Sequence, residues 1–324
     1  MHNVLITGFG PDLRWQADEI TLLNGIANVR VLNPLSRNAL LDAVRDVDAI
    51  MTDVTRIDET VFKAAKNLKI VSEYGVGVDN IDLESATRHH VCVCNVPDVY
   101  TGNVAEHTLM LMMACARRML PAMKTVKADG VWSSEEINPI RLAGKRLGLI
   151  GCGRIGLAFL KKCIGLELET VVCDPYLAKD GLNGVCARLI SLDELIATCD
   201  MISIHAPLTK ETRGLLNRKL FAHMKRGAVI INVSRGGIID EHDLLWALDA
   251  GIVSAAGLDV VEGEPNIEQC PLKSHPNVII TPHMGWKSET AGREIELGCA
   301  ENVRIFFAEG QIRNLCNRAV LSKE

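Results

Sequence analysis

A chain of 324 residues and 35.4 kDa is about twice the usual ~150 residues of a domain, so two domains are expected. Apolar residues at 48% and charged residues at 23% are ordinary globular usage, which excludes a disordered, collagen-like or coiled-coil chain. A net charge of -5 without a basic block suits neither a phosphate backbone nor an anionic bilayer, and no apolar run reaches the ~20 residues of a membrane span, so neither nucleic acid nor a membrane is an expected partner.

The opening MHNVLITGFG reads as a strand and a turn rather than a charged leader with a cleavage site, which predicts a cytoplasmic protein. Strands are expected at Val4–Thr7, Val29–Leu32, Ala49–Thr52, Lys69–Ser72 and Val91–Asn95. Helices lie between them, as at Asp58–Lys66, where Val61, Ala64 and Ala65 recur at helical spacing. Pro97 breaks the last strand. A long helix then runs from Asn103, its N-cap, to Leu120; its middle is apolar nearly all round, so it should be buried between domains or against another subunit.

After a polar segment from Lys124 to Pro139, six more strands are expected: Leu147–Ile150, Thr170–Cys173, Met201–Ile204, Ala228–Val233, Ala255–Leu258 and Val278–Thr281. Ser191 with Glu194 is a capping-box signature in the intervening stretch. Strands alternating with helices predict an α/β chain of two doubly wound parallel-sheet domains. The tail from Ser288 to Glu324 is too short for a domain, and its helical pattern should dock on the first one. Eleven cysteines are scattered singly, and only Cys92 and Cys94 are close. With no second Cys or His pair at finger-like spacing they make a poor tetrahedral site, so no metal is expected and the thiols read as small buried hydrophobes in a reducing compartment.

The run Gly151-Cys152-Gly153-Arg154-Ile155-Gly156 follows one strand and opens a helix, and the next strand ends in Asp174. Such glycines let backbone N–H groups approach a pyrophosphate at a helix N-terminus, and a carboxylate at that strand end accepts the ribose hydroxyls. Asp174 would repel the extra phosphate of NADP, and Pro175 and Tyr176 supply no cation, so NAD is the expected cofactor. Ligands of a doubly wound sheet bind beyond the carboxyl ends of its strands. Five such ends carry Asp174, His205, Arg235, Asp259 and His283.

The segments YGVGVDNID (Tyr74 to Asp82), GCGRIG, HAPLTKETRGLLN (His205 to Asn217), NVSRGGIIDE (Asn232 to Glu241), GLDVVEGEP (Gly257 to Pro265) and TPHMGW (Thr281 to Trp286) resemble the D-isomer-specific 2-hydroxyacid dehydrogenases, which include phosphoglycerate, glycerate (hydroxypyruvate) and D-lactate dehydrogenases. The resemblance runs from roughly Asp48 to Ala300. It implies a homodimer of subunits in which a Rossmann NAD-binding domain, 99–287, is inserted into a smaller flavodoxin-like substrate domain, 1–98 and 288–324. It also implies a small 2-hydroxy or 2-keto acid as the other partner.

The family's catalytic arginine, glutamate and histidine fall on Arg235, Glu264 and His283, and the backbone at Val76 and Gly77 would hold the substrate carboxylate. A neutral imidazole can take the C2 hydroxyl proton and return it, so His283 is the expected acid/base, with Glu264 holding its tautomer. Arg235 offers a planar fork to the carboxylate and the C2 oxygen. Arg154 and Ile155 would cover the pyrophosphate and Asp259 would accept from the nicotinamide carboxamide, with further cofactor contacts at Val233, Ser234 and Gly285. His205 reads as a structural or cofactor contact, His107 as a satisfied helix histidine, and Trp286 as a pocket wall or interface core.

Mammalian-type phosphoglycerate dehydrogenases carry arginines where this chain has Glu73 and Thr52. Their absence favours a small unphosphorylated acid such as glyoxylate, hydroxypyruvate or a sugar-acid relative, with D-3-phosphoglycerate as the alternative. A corepressor-like protein that senses NADH on the same core is the alternative of another class.

Overall fold

A computed structural model describes residues 1–8, 16–32, 36–178, 181–182 and 184–322, which form two compact units, Met1–Tyr100 with Ser288–Glu324, and Thr101–Lys287. The first opens with β1 (His2–Thr7), α1 (Gln16–Leu22), β2 (Ala27–Val31), α2 (Arg37–Ala43), β3 (Ala49–Thr52), α3 (Glu59–Ala64), β4 (Ile70–Glu73), α4 (Leu83–Arg88) and β5 (Cys92–Cys94). The second holds α5 (Thr101–Ala116), α6 (Met119–Lys127), β6 (Arg146–Ile150), α7 (Arg154–Lys162), β7 (Glu169–Cys173), β8 (Ala187–Leu189), α8 (Leu192–Thr198), β9 (Met201–Ile204), α9 (Arg218–Phe221), β10 (Ala228–Asn232), α10 (Glu241–Asp249), β11 (Val253–Leu258) and β12 (Val278–Ile280). The chain then returns to the first unit as α11 (Ala291–Glu309).

The first unit is a parallel sheet in the order β2-β1-β3-β4-β5. Its central strands read AIMT and IVSE and are buried at every position, as a parallel sheet covered on both faces requires. Leu5, Ile50, Val71 and Val93 pack against Val61, Phe62 and Ala86 of α3 and α4. Asp58 caps α3, accepting from Thr60 N and Val61 N, and Asp82 caps α4. On the other face α11 packs against α1, β3 and β4. Gly298 permits that approach, since a Cβ there would lie 2.9 Å from Val96 Cγ1.

The second unit is a parallel sheet in the order β12-β11-β10-β9-β6-β7-β8. Six strands were expected and seven are present among the described residues. β8 is a three-residue edge strand, ARL, half-exposed and without a buried apolar face, so it carries no alternation to read. The strand order reverses about β6, which pairs with β7 on one side and β9 on the other, and the glycine run leaves the sheet at that point.

The single helix expected from Asn103 to Leu120 is two helices. Arg118 adopts φ 56°, left-handed, and its guanidinium donates to Ser254 O, which ends α5 and redirects the chain into α6. Asn103 lies inside α5 rather than capping it, and its amide donates to Trp286 O at 2.9 Å. α5 packs within its own unit on α7, β10 and β11. There a Cβ on Gly257 would lie 3.0 Å from Leu111 Cβ and 3.2 Å from Cys115 Sγ. Ser191 caps α8, its hydroxyl accepting from Glu194 N at 3.2 Å. All eleven cysteines are free thiols. Among the described residues no group of three or more His, Cys, Asp or Glu side chains could hold a metal ion, and no helix is long and apolar enough to cross a membrane.

Candidate active site

The turn after β6 is built on glycines that bring backbone segments into close approach. Gly151 adopts φ 81°, and a Cβ there would sit 2.7 Å from Ala206 N, so only glycine fits. A Cβ on Gly156 would lie 3.2 Å from Gly151 O, which keeps α7 against the turn. Gly153 precedes α7 with open space around it and no side-chain cap, which leaves the first N–H groups of the helix for an anion. Arg154 is exposed and Ile155 half-buried. Asp174 accepts from Cys152 N at 2.8 Å and from Tyr176 N at 2.9 Å, which fixes its carboxylate at the mouth of the turn.

His205 follows β9, its Nε2 2.9 Å from Ser203 Oγ and its ring 5.5 Å from Phe159. Burial pushes the imidazole down to about 3, and Nδ1 is enclosed without a hydrogen bond, so the ring is neutral. Val233 and Ser234 lie half-buried after β10, and the Ser234 hydroxyl donates to Ile204 O at 2.8 Å.

Arg235 and Glu264 are brought together by backbone packing. Asn232 is buried at the end of β10; its amide donates to Arg235 O at 2.9 Å and its oxygen accepts from Ser234 N at 3.0 Å. Gly236 lets this turn lie on the next loop, since a Cβ there would be 2.2 Å from the Val261 carbonyl carbon. That loop is held by Glu241, which accepts from Glu262 N at 2.6 Å, and Glu264 accepts from Val261 N at 3.3 Å.

The other Glu264 oxygen is 2.7 Å from His283 Nδ1. Burial alone would lower the His283 pKa; the Glu264 hydrogen bond and charge, with Asp259 behind them, outweigh burial and the opposing Arg235, and the imidazole ends above its ordinary value. Its Nε2 has no hydrogen-bond partner among the described residues. His283 itself adopts φ 48°, a left-handed conformation costing an L-residue roughly 1–2 kcal/mol.

Asp259 is buried beneath this turn. Its Oδ1 accepts from the Thr281 hydroxyl at 2.6 Å and Met284 N at 3.0 Å, and its Oδ2 accepts from Gly285 N at 2.8 Å. His107 of α5 adds Nε2 at 3.2 Å from Oδ1. Burial would raise this carboxyl, but the four donors hold it below the ordinary carboxylate range.

In the first unit, Val76 and Gly77 follow β4, half-buried. The Val76 N–H, expected to meet substrate, donates instead to the Tyr100 hydroxyl, and Val76 O accepts from the Asn95 amide at 2.7 Å. Gly77 N–H has no partner among the described residues. Glu73 is buried and accepts from the Asn80 amide at 3.0 Å. Burial, with Asp53 and Asp79 nearby, pushes its carboxyl well above the ordinary range. Burial therefore favours its neutral form. Thr52 is buried too, its hydroxyl accepting from Thr55 N at 3.3 Å. Tyr100, Asn80 and the link from His107 to Asp259 were not found from the sequence, because each joins segments that only the fold brings together; Asn232, whose side-chain bonds are local, carried no signal of its own inside its motif.

Residues 109–285 match the family model described as D-isomer specific 2-hydroxyacid dehydrogenase, NAD binding domain. A D-3-phosphoglycerate dehydrogenase of Archaeoglobus fulgidus is 40% identical over 91% of this chain and 56% of its own length. An Arabidopsis thaliana chloroplastic D-3-phosphoglycerate dehydrogenase is 38% identical over 88% of this chain and 46% of its own. The chain thus spans about half the length of these curated relatives. Among solved structures, a glyoxylate reductase from Paecilomyes thermophila superposes with a TM-score of 0.89 at 27% identity, covering 97% of this chain and 98% of that one. A D-lactate dehydrogenase from Aquifex aeolicus, complexed with NAD and lactic acid, gives 0.85 at 25% identity, covering 97% and 99%.

Proposed function

Because the chain belongs to the D-isomer-specific 2-hydroxyacid dehydrogenase family and carries its NAD-binding domain, we propose that it is an NAD-dependent oxidoreductase acting at C2 of a small D-2-hydroxy or 2-keto acid. The observation that carries this reading is the 2.7 Å contact of Glu264 with His283 Nδ1, which leaves Nε2 to exchange a proton. Bound NAD supplies the hydride acceptor or donor. Gly151, Gly153 and Gly156 with the start of α7 would hold its pyrophosphate, and Asp174 its ribose. In oxidation His283 Nε2 takes the C2 hydroxyl proton; in reduction it returns one, and Glu264 stabilises the imidazolium in between. Arg235 binds the carboxylate and the C2 oxygen with its fork.

An unphosphorylated acid is the preferred substrate. The charged side chains acting on Glu73 are the carboxylates of Asp53 and Asp79, which would oppose a phosphate there. D-3-Phosphoglycerate is the second reading, favoured by the names of the curated relatives and by the burial of Glu73, which keeps its carboxyl from repelling a phosphate. NADH consumption with glyoxylate, hydroxypyruvate and phosphohydroxypyruvate decides between them. A kcat/KM at least about tenfold higher for the phosphorylated acid overturns the first reading, and NADH binding without turnover on any of them makes the protein a sensor.

A homodimer is part of the proposal. Met119, Met123 and Val126 of α6, with Val131 and Trp132 beyond it, expose an apolar strip that a second copy would cover. Eleven free thiols suit the cytoplasm.

A further inference from the structure

We propose that His107 is a positioning residue for His283, acting through Asp259 and Thr281. The inference rests on the acid/base reading of His283. His107 lies on the α5 face that also carries Val104, Leu111 and Cys115, all buried, and a polar ring there needs a partner. Its Nε2 is 2.9 Å from Thr281 Oγ1 and 3.2 Å from Asp259 Oδ1, and the Thr281 hydroxyl donates to that same Oδ1 at 2.6 Å. Nε2–H of the imidazole is therefore shared between the two oxygens. The contact is close-packed, since a Cβ on Gly285 would lie 2.8 Å from Asp259 Oδ2 and 3.4 Å from His107 Cδ2.

Asp259 grips the catalytic turn twice. Its carbonyl accepts the His283 N–H at 2.9 Å, while its carboxylate binds the N–H groups of Met284 and Gly285. Between these grips His283 sits at φ 48°, a backbone conformation that persists in an L-residue only when its surroundings hold it. Of the four donors on the buried carboxylate, three belong to the turn itself, and only His107 ties it to another element, α5. Without that donor no side chain from outside the turn orients the carboxylate, although the Asp259 backbone stays fixed by its N–H bond to Asn232 O at 2.9 Å. The turn can then relax, and the His283 ring leaves Glu264.

The charged groups facing His283 are Glu264 and Asp259, which favour its protonated form, and Arg235, which opposes it, with His107 reaching it through Asp259. Loss of the Glu264 contact therefore lets the imidazole fall back toward its ordinary value.

The test compares His107→Phe, which keeps the ring and removes the donor, with His107→Gln, which returns a donor near the Nε2 position. His107→Phe should lower kcat for 2-keto acid reduction by about tenfold or more with NADH affinity within about twofold. The alkaline limb of kcat/KM, and the His283 imidazole titration followed by NMR in the nucleotide-free protein, should move down by about half a pH unit or more. His107→Gln should recover most of both effects. Thr281→Val, which removes the second side-chain donor, should reproduce the shift and serves if His107→Phe does not fold. An unmoved His283 titration in His107→Phe, or in Thr281→Val where it stands in, overturns the proposal even if Tm falls, as does a Gln variant no better than Phe. If His283→Ala keeps full turnover, the acid/base reading fails; if His283 is essential and His107 indifferent, only the positioning role fails.

Discussion

At His283 the balance between Glu264 and Arg235 sets the working pH. Reduction needs the imidazolium and oxidation the neutral ring, and the imidazole lies above its ordinary ~6.5. Reduction should therefore hold through neutral pH and fall as pH rises past that raised value, with oxidation rising over the same window. Glu264→Gln removes the charge that raises it, so the alkaline limb of reduction should move toward lower pH, with kcat/KM down about 10²-fold, measured in a pH-rate series. Arg235→Lys keeps the charge and loses the fork, so kcat/KM for the keto acid should fall by about tenfold or more while NADH affinity in a fluorescence titration stays unchanged. Asp174→Ala should narrow the preference for NAD over NADP in the same titration. At this scale the sequence is legible where a motif names the residue, as at Arg235, Glu264 and His283. His107 and Thr281 are 174 positions apart, and nothing along the chain announces their hydrogen bond.

Elements carry a different set of forces. Glu19 of α1 is buried and donates nothing but accepts from the Tyr74 hydroxyl at 2.9 Å, and Glu296 of α11 is buried close by. Burial, with their mutual charge at Glu19 and Asp18 beside Glu296, pushes both carboxyls up to about 7. The folded state therefore binds these protons more tightly than the unfolded chain. Their contribution to stability is complete below the ordinary ~4.5 and is lost as pH rises through about 7. Glu296→Gln should flatten that loss, raising Tm at pH 8 relative to the wild type by several degrees, on the order of 1–2 kcal/mol, as scanning calorimetry would show. Apart from β8, strand positions were readable to within about two residues, helped by the continuous apolar runs of the central parallel strands. The break between α5 and α6 was not, because Arg118 takes a left-handed backbone where no glycine or proline marks it.

For the whole molecule, alternating strands and helices made the α/β class legible, and the glycine run located the nucleotide turn. The identity of the acid was not legible, because it depends on side chains such as Glu73 whose burial and ionisation only the fold decides. The proposed dimer is testable at this scale. Met123→Asp with Trp132→Asp places charges on the exposed apolar strip of the second unit, and sedimentation should then show a monomer where the wild type is a dimer.

The return of α11 to the sheet of the first unit orders events during synthesis. A nascent chain emerging from the ribosome presents β1 to β5 long before the helix that covers one of their faces exists. The later unit, whose last strand ends at Ile280, has its whole sheet first. The early segment must wait with an uncovered face, and it is there that a chaperone has something to bind.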